Sequence, residues 1–209
     1  MSDRIGRHVL ALIAVASFSL SACGGSAPPS QTAAQGTPGS QAPADQPVNP
    51  DAKALAGFLE RVNEYVVLHQ KIEHALPGLS KATTPQEIDT HQRTLGQQIQ
   101  SARREAKAGD IFIPECQAVI KRLLARVFGG PDGPALKASI MDENPGIPNL
   151  TVNGRYPDTV PLSTIPPQVL QGLPKLPEEM EFRFVGNNLI LMDVHAHIIT
   201  DFIPNAFPQ

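Results

Sequence analysis

Two histidines separated by one residue, with a carboxylate just before them, are the side chains in this 209-residue chain that most readily suggest chemistry: residues 193–197 read DVHAH. Imidazole nitrogens and carboxylate oxygens are ordinary ligands of Zn2+, so Asp193, His195 and His197 are metal candidates by type. Spacing narrows the set. On a regular strand, His195 and His197 share one face with about 6.6 Å between their α-carbons, a separation across which two imidazoles can share an ion. Asp193 and His197 would stand about 13 Å apart, too far for both to reach a metal bonded at about 2 Å. The flanking run LILMDVHAHIIT, residues 189–200, alternates as a strand does. Ile190, Met192, Val194, Ala196 and Ile198 make an uninterrupted apolar face, and Leu191, Asp193, His195, His197 and Ile199 make the outer or partner-facing one. The preferred reading is the polar side of a closing strand with a pH-sensitive charge, with His195 and His197 kept as weak metal candidates and no catalytic residue or cofactor assigned.

A His-x-His pair also marks the metal hydrolases of the amidohydrolase superfamily, but there it lies on the first strand of a barrel of about 250 residues, with further ligands downstream. Only residues 198–209 follow His197 here, and they hold no histidine. His69, His74 and His91 lie upstream in helical segments and would join only if the fold brought them there. Cys116 is the other chemical candidate. At the start of a predicted helix its thiol could be activated, whereas within the apolar run IFIPECQAVI it reads as a small buried hydrophobe. The adjacent carboxylates Glu178-Glu179 and Asp142-Glu143 read as solvated loop residues. The sequence contains no Gly-rich phosphate loop, G-x-S-x-G elbow or C-x-x-C pair.

The N-terminus is more telling. Arg4 and Arg7 precede the apolar run VLALIAVASFSL, residues 9–20, which small residues follow, the order of a secretory signal. As a helix the run would span about 18 Å, short of the roughly 30 Å of bilayer hydrocarbon. It ends in Leu20-Ser21-Ala22-Cys23, which resembles the lipobox of bacterial lipoproteins. The resemblance implies cleavage after Ala22, a diacylglyceryl group on the Cys23 thiol and an acylated new amine. Two or three such chains hold a protein firmly at a membrane. In that family an Asp after the Cys often retains the protein at the inner membrane; Gly24 stands here, which points to the outer one. The alternative is an ordinary cleaved signal with an incidental Cys.

Residues 24–50 are almost entirely Gly, Ser, Ala, Pro, Gln and Thr, with a single charge at Asp45, and cannot bury enough apolar surface to fold. Such a tether spans about 30 Å on average. The expected organisation is a signal peptide at 1–22, a lipidated Cys23 with tether at 23–50, and one domain at 51–209. With Cys23 lipidated, Cys116 is the one thiol left, so no internal disulfide is expected in the periplasm. The chain carries −3 overall, and loss of Asp3, Arg4 and Arg7 with the signal leaves 15 basic against 19 acidic residues, about −4, which argues against nucleic acid as a partner. The basic clusters Arg103, Arg104, Lys107 and Lys121, Arg122, Arg126 read as wet helix faces, with lipid head groups or anionic polymers as the alternative.

Helix signals fill residues 51–142. Asn49-Pro50 opens a helix whose Leu55, Phe58, Leu59, Val62, Val66 and Ile72 repeat at three and four, up to Pro77-Gly78. Thr84-Pro85-Gln86-Glu87 has capping-box form and predicts a second helix with Ile88, Leu95, Ile99 and Ala102 on one face, up to Gly109. A short loop should leave these two antiparallel. A third helix runs from Pro114 to the Gly129-Gly130 stop, and a short fourth fits residues 134–141. Recurrent prolines after Pro145 predict extended chain, with one helical turn near Pro167 and polyproline II at residues 173–179. Two strands, residues 181–185 and 189–200, follow around Gly186-Asn187-Asn188.

The segments VNGRYP, LSTIPPQVLQGLPKLPEEMEFRFVGNNLILMDV and DFIP, at residues 152–157, 162–194 and 201–204, resemble the C-terminal part of a group of uncharacterised exported bacterial proteins. The resemblance implies that the hairpin and its Pro-rich approach form a unit; it carries no activity. The expected fold is α+β: an N-terminal helical hairpin plus a further helix, a Pro-rich extended segment and a C-terminal antiparallel β-hairpin. The expected function is that of a non-enzymatic binding or structural module of the cell envelope, with the membrane and another envelope protein as partners and no cofactor. The alternative is a metal- or thiol-dependent envelope enzyme using His195 and His197, or Cys116.

Overall fold

A computed structural model describes residues 49–80, 82–143 and 148–208; the signal peptide, Cys23 and the tether to residue 48 lie outside them. Helix α1 (Pro50–Glu73) starts where the capping chemistry says it should, with the Asn49 side chain accepting the Asp51 N–H and Pro50 at the first turn. Helix α2 (Pro85–Ala102) opens on a complete capping box: the Thr84 hydroxyl accepts the Glu87 N–H at 3.3 Å, and Glu87 accepts the Thr84 N–H at 2.7 Å. It ends seven residues before Gly109. At Arg103 the helix stops, and that residue's guanidinium reaches Asn153 Oδ1 at 2.6 Å and the Thr200 carbonyl at 3.3 Å, while Asn153 Nδ2 donates back to the Arg103 carbonyl. A contact with chain some 50 and 97 residues away has overridden local helix propensity.

Helices α3 (Pro114–Phe128) and α4 (Gly133–Glu143) follow, then the single turn α5 (Pro167–Leu170). The C-terminal part is an antiparallel sheet of three strands, β1 (Met180–Val185), β2 (Asn188–Asp193) and β3 (Ile198–Ile203), in the order β1-β2-β3. The fold is therefore α+β, as expected, with a third strand added to the hairpin. What reads as one strand over residues 189–200 is two strands and a turn. The break has a local cause: Asp193 Oδ1 accepts the Ala196 N–H at 2.7 Å, the Val194 N–H goes to the Glu179 carbonyl, and His197 takes φ 53°. An aspartate opening a turn and a His in the left-handed region are both favourable for these residue types. The alternation of residues 194–199 continues the strand pattern by accident and assigns no faces. A bulge between Leu191 and Met192 makes Thr200 the extra residue of β3, and its hydroxyl donates to the Leu191 carbonyl.

Both faces of β2 are buried, so Leu191 and Asp193 are not on an outer side as expected. Leu189 and Leu191 face the helices, in a core that includes the stacked Phe58, Phe112 and Phe182, centroids 5.2 to 6.2 Å apart. Ile190 and Met192 face Tyr156, Val185 and Ile199 in a second cluster, roofed by Leu150, Val160 and Leu162 of the Pro-rich segment. That segment bridges to β3 at Arg155 and Ile198 and to β1 at Ser163 and Phe184, which covers both sheet edges. A continuous apolar run such as LILM is what a strand buried on both faces requires. No helix among the described residues is long and apolar enough to cross a membrane.

Candidate functional site

The apolar stripe of α1, Ala54, Phe58, Val62, Tyr65 and Val66, turns polar at its end, where Tyr65, His69 and Glu73 follow at steps of four. That spacing lines them along one side of the helix. Tyr65 and His69 are buried, and Glu73 reaches toward the surface with 30% of its side chain exposed. Opposite them stands Asp193, fully buried at the end of β2. Its Oδ2 accepts the Tyr65 hydroxyl at 2.5 Å and His69 Nδ1–H at 2.6 Å; its Oδ1 holds the Ala196 N–H. The same carboxylate thus orients a helix imidazole and closes the turn that presents His195.

His195 comes back to that helix. Its Nδ1 lies 3.2 Å from Glu73 Oε1, its ring centroid is 5.4 Å from that of His69, and His69 Nε2 lies 3.2 Å from Glu73 Oε2. Taken one atom per residue, ligand atoms of His69, Glu73 and His195 lie within 4.8 Å of one another, a grouping that could hold a metal ion. With its Nδ1 proton given to Asp193, a neutral His69 presents the lone pair of Nε2 to a carboxylate, and two acceptors at 3.2 Å need a positive centre between them or on one of them. A proton on His69 is one such centre. Burial opposes it, but the hydrogen bond and charge of Asp193, followed by the charge of Glu73, leave the His69 pKa raised. Burial first, then Asp193, pushes the Tyr65 hydroxyl well above its usual range, so it remains a donor. The Arg103 guanidinium sits 4.9 Å from the Tyr65 ring centroid and closes the inner end of the row.

His197 goes elsewhere. Its ring meets the edge of Tyr156 at 6.0 Å and its Nε2 lies 3.5 Å from Asp158 Oδ1, so the structure does not assemble His195 and His197 into one pair of ligands. Burial, then the charge of Arg155, lowers its pKa. Cys116 is fully buried, and burial followed by the Asp201 charge pushes its thiol up to about 12, so the folded protein holds it as a protonated small hydrophobe. The expected loop carboxylates divide as well: Glu179 is buried and accepts Gln70 Nε2 at 2.6 Å, and Glu143 accepts the Thr164 N–H at 2.8 Å. Of the basic clusters, Arg103 is tied into the fold and Arg122 pairs with Asp51 at 2.6 Å. His74 and His91 do not join the cluster. Of the upstream histidines named conditionally in the sequence, the fold brings His69 to the site; sequence reasoning missed Glu73 and Tyr65, and the available signal was a histidine at a stripe position of α1 with a carboxylate one turn on.

No protein-family model, curated protein or solved structure matches the chain.

Proposed function

We propose that the chain is a lipid-anchored protein of the bacterial cell envelope, attached through Cys23 on the periplasmic side, at the outer rather than the inner membrane, with a folded part that works by binding and not by catalysis. The observation that carries the reading is the order of the sequence: Arg4 and Arg7, the apolar run, Leu20-Ser21-Ala22-Cys23, then low-complexity chain up to Pro50. Helix α1 begins at that same Pro50. A tether of about 30 Å holds such a domain clear of lipid head groups, which suits contact with another envelope protein better than with the bilayer. Burial of the Cys116 thiol disfavours the thiol-enzyme alternative.

Metabolic labelling with a radioactive fatty acid tests the anchor. Wild type takes up label and partitions with the outer membrane, and Cys23→Ala takes up none. Label persisting in the variant refutes the lipoprotein reading. Crosslinking in intact cells tests the binding role: a reproducible envelope-protein adduct supports it, and consistent absence of any adduct refutes it.

A further inference from the structure

We propose that His69 Nε2, Glu73 and His195 Nδ1 form a binding site for one borderline divalent metal ion of the Zn2+ class, with Asp193 as the outer carboxylate that organises it. The inference goes beyond the anchor and holds whether or not Cys23 carries lipid. Its geometric basis is the pair of separations from Glu73, each 3.2 Å. A tetrahedral ion with bonds of about 2 Å sets its ligands about 3.3 Å apart, so the edge from His69 Nε2 to Glu73 Oε2 is already at bonding geometry, while His195 Nδ1 stands at the same distance from the other oxygen, Oε1. The spread of up to 4.8 Å among the three ligand atoms closes by turning the His195 ring, which is 40% exposed and sits on a turn. His69 and Glu73 are one helical turn apart on α1, so their relative position is fixed by the helix itself.

The surroundings of His69 are those that a metal-ligating histidine requires. A ligating histidine ordinarily donates its other ring N–H to a carboxylate, which fixes the tautomer and raises the basicity of the bonding nitrogen. Asp193 receives Nδ1–H of His69 at 2.6 Å, is itself fully buried, and is held in turn by Tyr65. Two imidazoles and a single carboxylate select Zn2+ and its neighbours over Mg2+ or Ca2+, which require sets of oxygen ligands. Three protein ligands also leave a fourth position facing solvent on the His195 side, open to water or to a donor atom of a partner.

The test uses the full chain without an affinity tag, purified in detergent, stripped with a chelator and titrated with Zn2+ against a chromophoric competitor. One ion binds per chain at micromolar free Zn2+. Glu73→Gln and His195→Ala, both at partly exposed positions, weaken binding by more than the roughly 10- to 100-fold typical of a lost outer-shell partner. His197→Ala and His74→Ala bind as wild type, and millimolar Mg2+ does not compete. Far-UV circular dichroism identifies any variant that has lost its fold, and Glu73→Gln is the conservative variant that keeps the proposal falsifiable if His195→Ala unfolds. Absence of stoichiometric Zn2+ in the wild type, unchanged affinity in a folded Glu73→Gln or His195→Ala, or an equal loss in His197→Ala overturns the assignment.

Discussion

Replacing Asp193 with Asn should separate the structural role of this carboxylate from its role in setting the state of His69. The carboxylate accepts three hydrogen bonds, from Tyr65, His69 and the Ala196 N–H. An Asn of the same shape keeps its oxygen toward Ala196 and turns its amide toward the other two. Tyr65 must then accept instead of donate, and His69 must carry its proton on Nε2 with a bare Nδ1. That tautomer is tolerable, because Nε2–H then donates to Glu73 Oε2, 3.2 Å away. Bonds to a charged acceptor contribute about 1.5–3 kcal/mol and neutral ones about 0.5–1.5, so exchanging two of them and leaving the Tyr65 proton unmatched costs about 2–3 kcal/mol. The fold survives that loss in a domain of ordinary stability. The lone pair that would bond a metal does not survive it, and zinc affinity falls by roughly 10- to 100-fold. Urea denaturation followed by far-UV circular dichroism measures the first effect, long-range 1H–15N correlation of the ring nitrogens of the metal-free chain in mildly alkaline buffer reads the tautomer, and competitive Zn2+ titration measures the second. A folded Asp193→Asn variant with Nε2 still unprotonated and wild-type affinity would show that Asp193 does not control His69.

Three further outcomes follow from the geometry. Asp201, fully buried on β3, accepts the N–H groups of Gly109, Ile111 and Phe112 at 2.7 to 2.9 Å; Asp201→Asn turns an amide onto at least one of these donors and should lower stability by about 2–4 kcal/mol, whereas a change below about 0.5 kcal/mol in urea denaturation would refute the account. In a Cys23→Ala background, Cys116 should react with a thiol reagent at pH 8 only after denaturant opens the core, because its pKa stands at about 12; stoichiometric labelling of the native protein within minutes would contradict this. His197, whose folded pKa is lowered by burial and then by Arg155, binds its proton less readily folded than unfolded. Its contribution is therefore intact above the ordinary imidazole pKa of about 6.5 and is lost as pH falls from there through the lowered folded value. His197→Asn, which tolerates φ 53°, should flatten that acid-side decline in a pH series of urea midpoints, and an unchanged slope would refute the assignment.

How much of this was legible in the sequence depends on where each element's cause lies. The helix starts were readable because their chemistry is local: Asn49 with Pro50, Thr84 with Glu87, and Pro114 act on their own backbone neighbours. The end of α2 was not, because Arg103 leaves the helix for Asn153 and Thr200, and no window around residue 103 contains those partners. The break after Asp193 was hidden by an alternation of apolar and polar residues that persists through a turn. The candidate site was half visible. His195 was readable by type, but its partners are on α1, more than 120 residues earlier in the chain, and His69 counted only as a histidine in a helical segment. A stripe position ordinarily filled by Leu or Val, occupied instead by His with Tyr and Glu one turn to either side, was the local sign that α1 ends in a polar row meant to meet a carboxylate.

Asp193, at the end of β2, and Asp201, within β3, solve the same problem, and the comparison explains why the candidate site sits where it does. Each is fully buried, and each binds backbone N–H groups of a connection that no repeated ladder supports: Asp193 the turn at residues 194–197, Asp201 the loop after α2. A long loop needs such help, and Gly109, at φ 94°, gives the chain the bend that points its N–H at Asp201. At Asp201 every hydrogen bond accepted is from backbone, including the N–H of Phe202, so that carboxylate is fully used in holding the fold. At Asp193 only Oδ1 is used that way, and Oδ2 is given to Tyr65 and His69. The α2 helix must also approach this turn closely: a β-carbon at Gly96 would stand 3.2 Å from the Ala196 carbonyl and 3.3 Å from Ile198. The turn is thus clamped from below by Gly96 and from within by Asp193, which leaves His195 as the side chain that projects from a rigid base toward Glu73. Rigid support beneath one exposed imidazole is what a ligand site needs, since an ion bonded at about 2 Å tolerates little wandering of its donors.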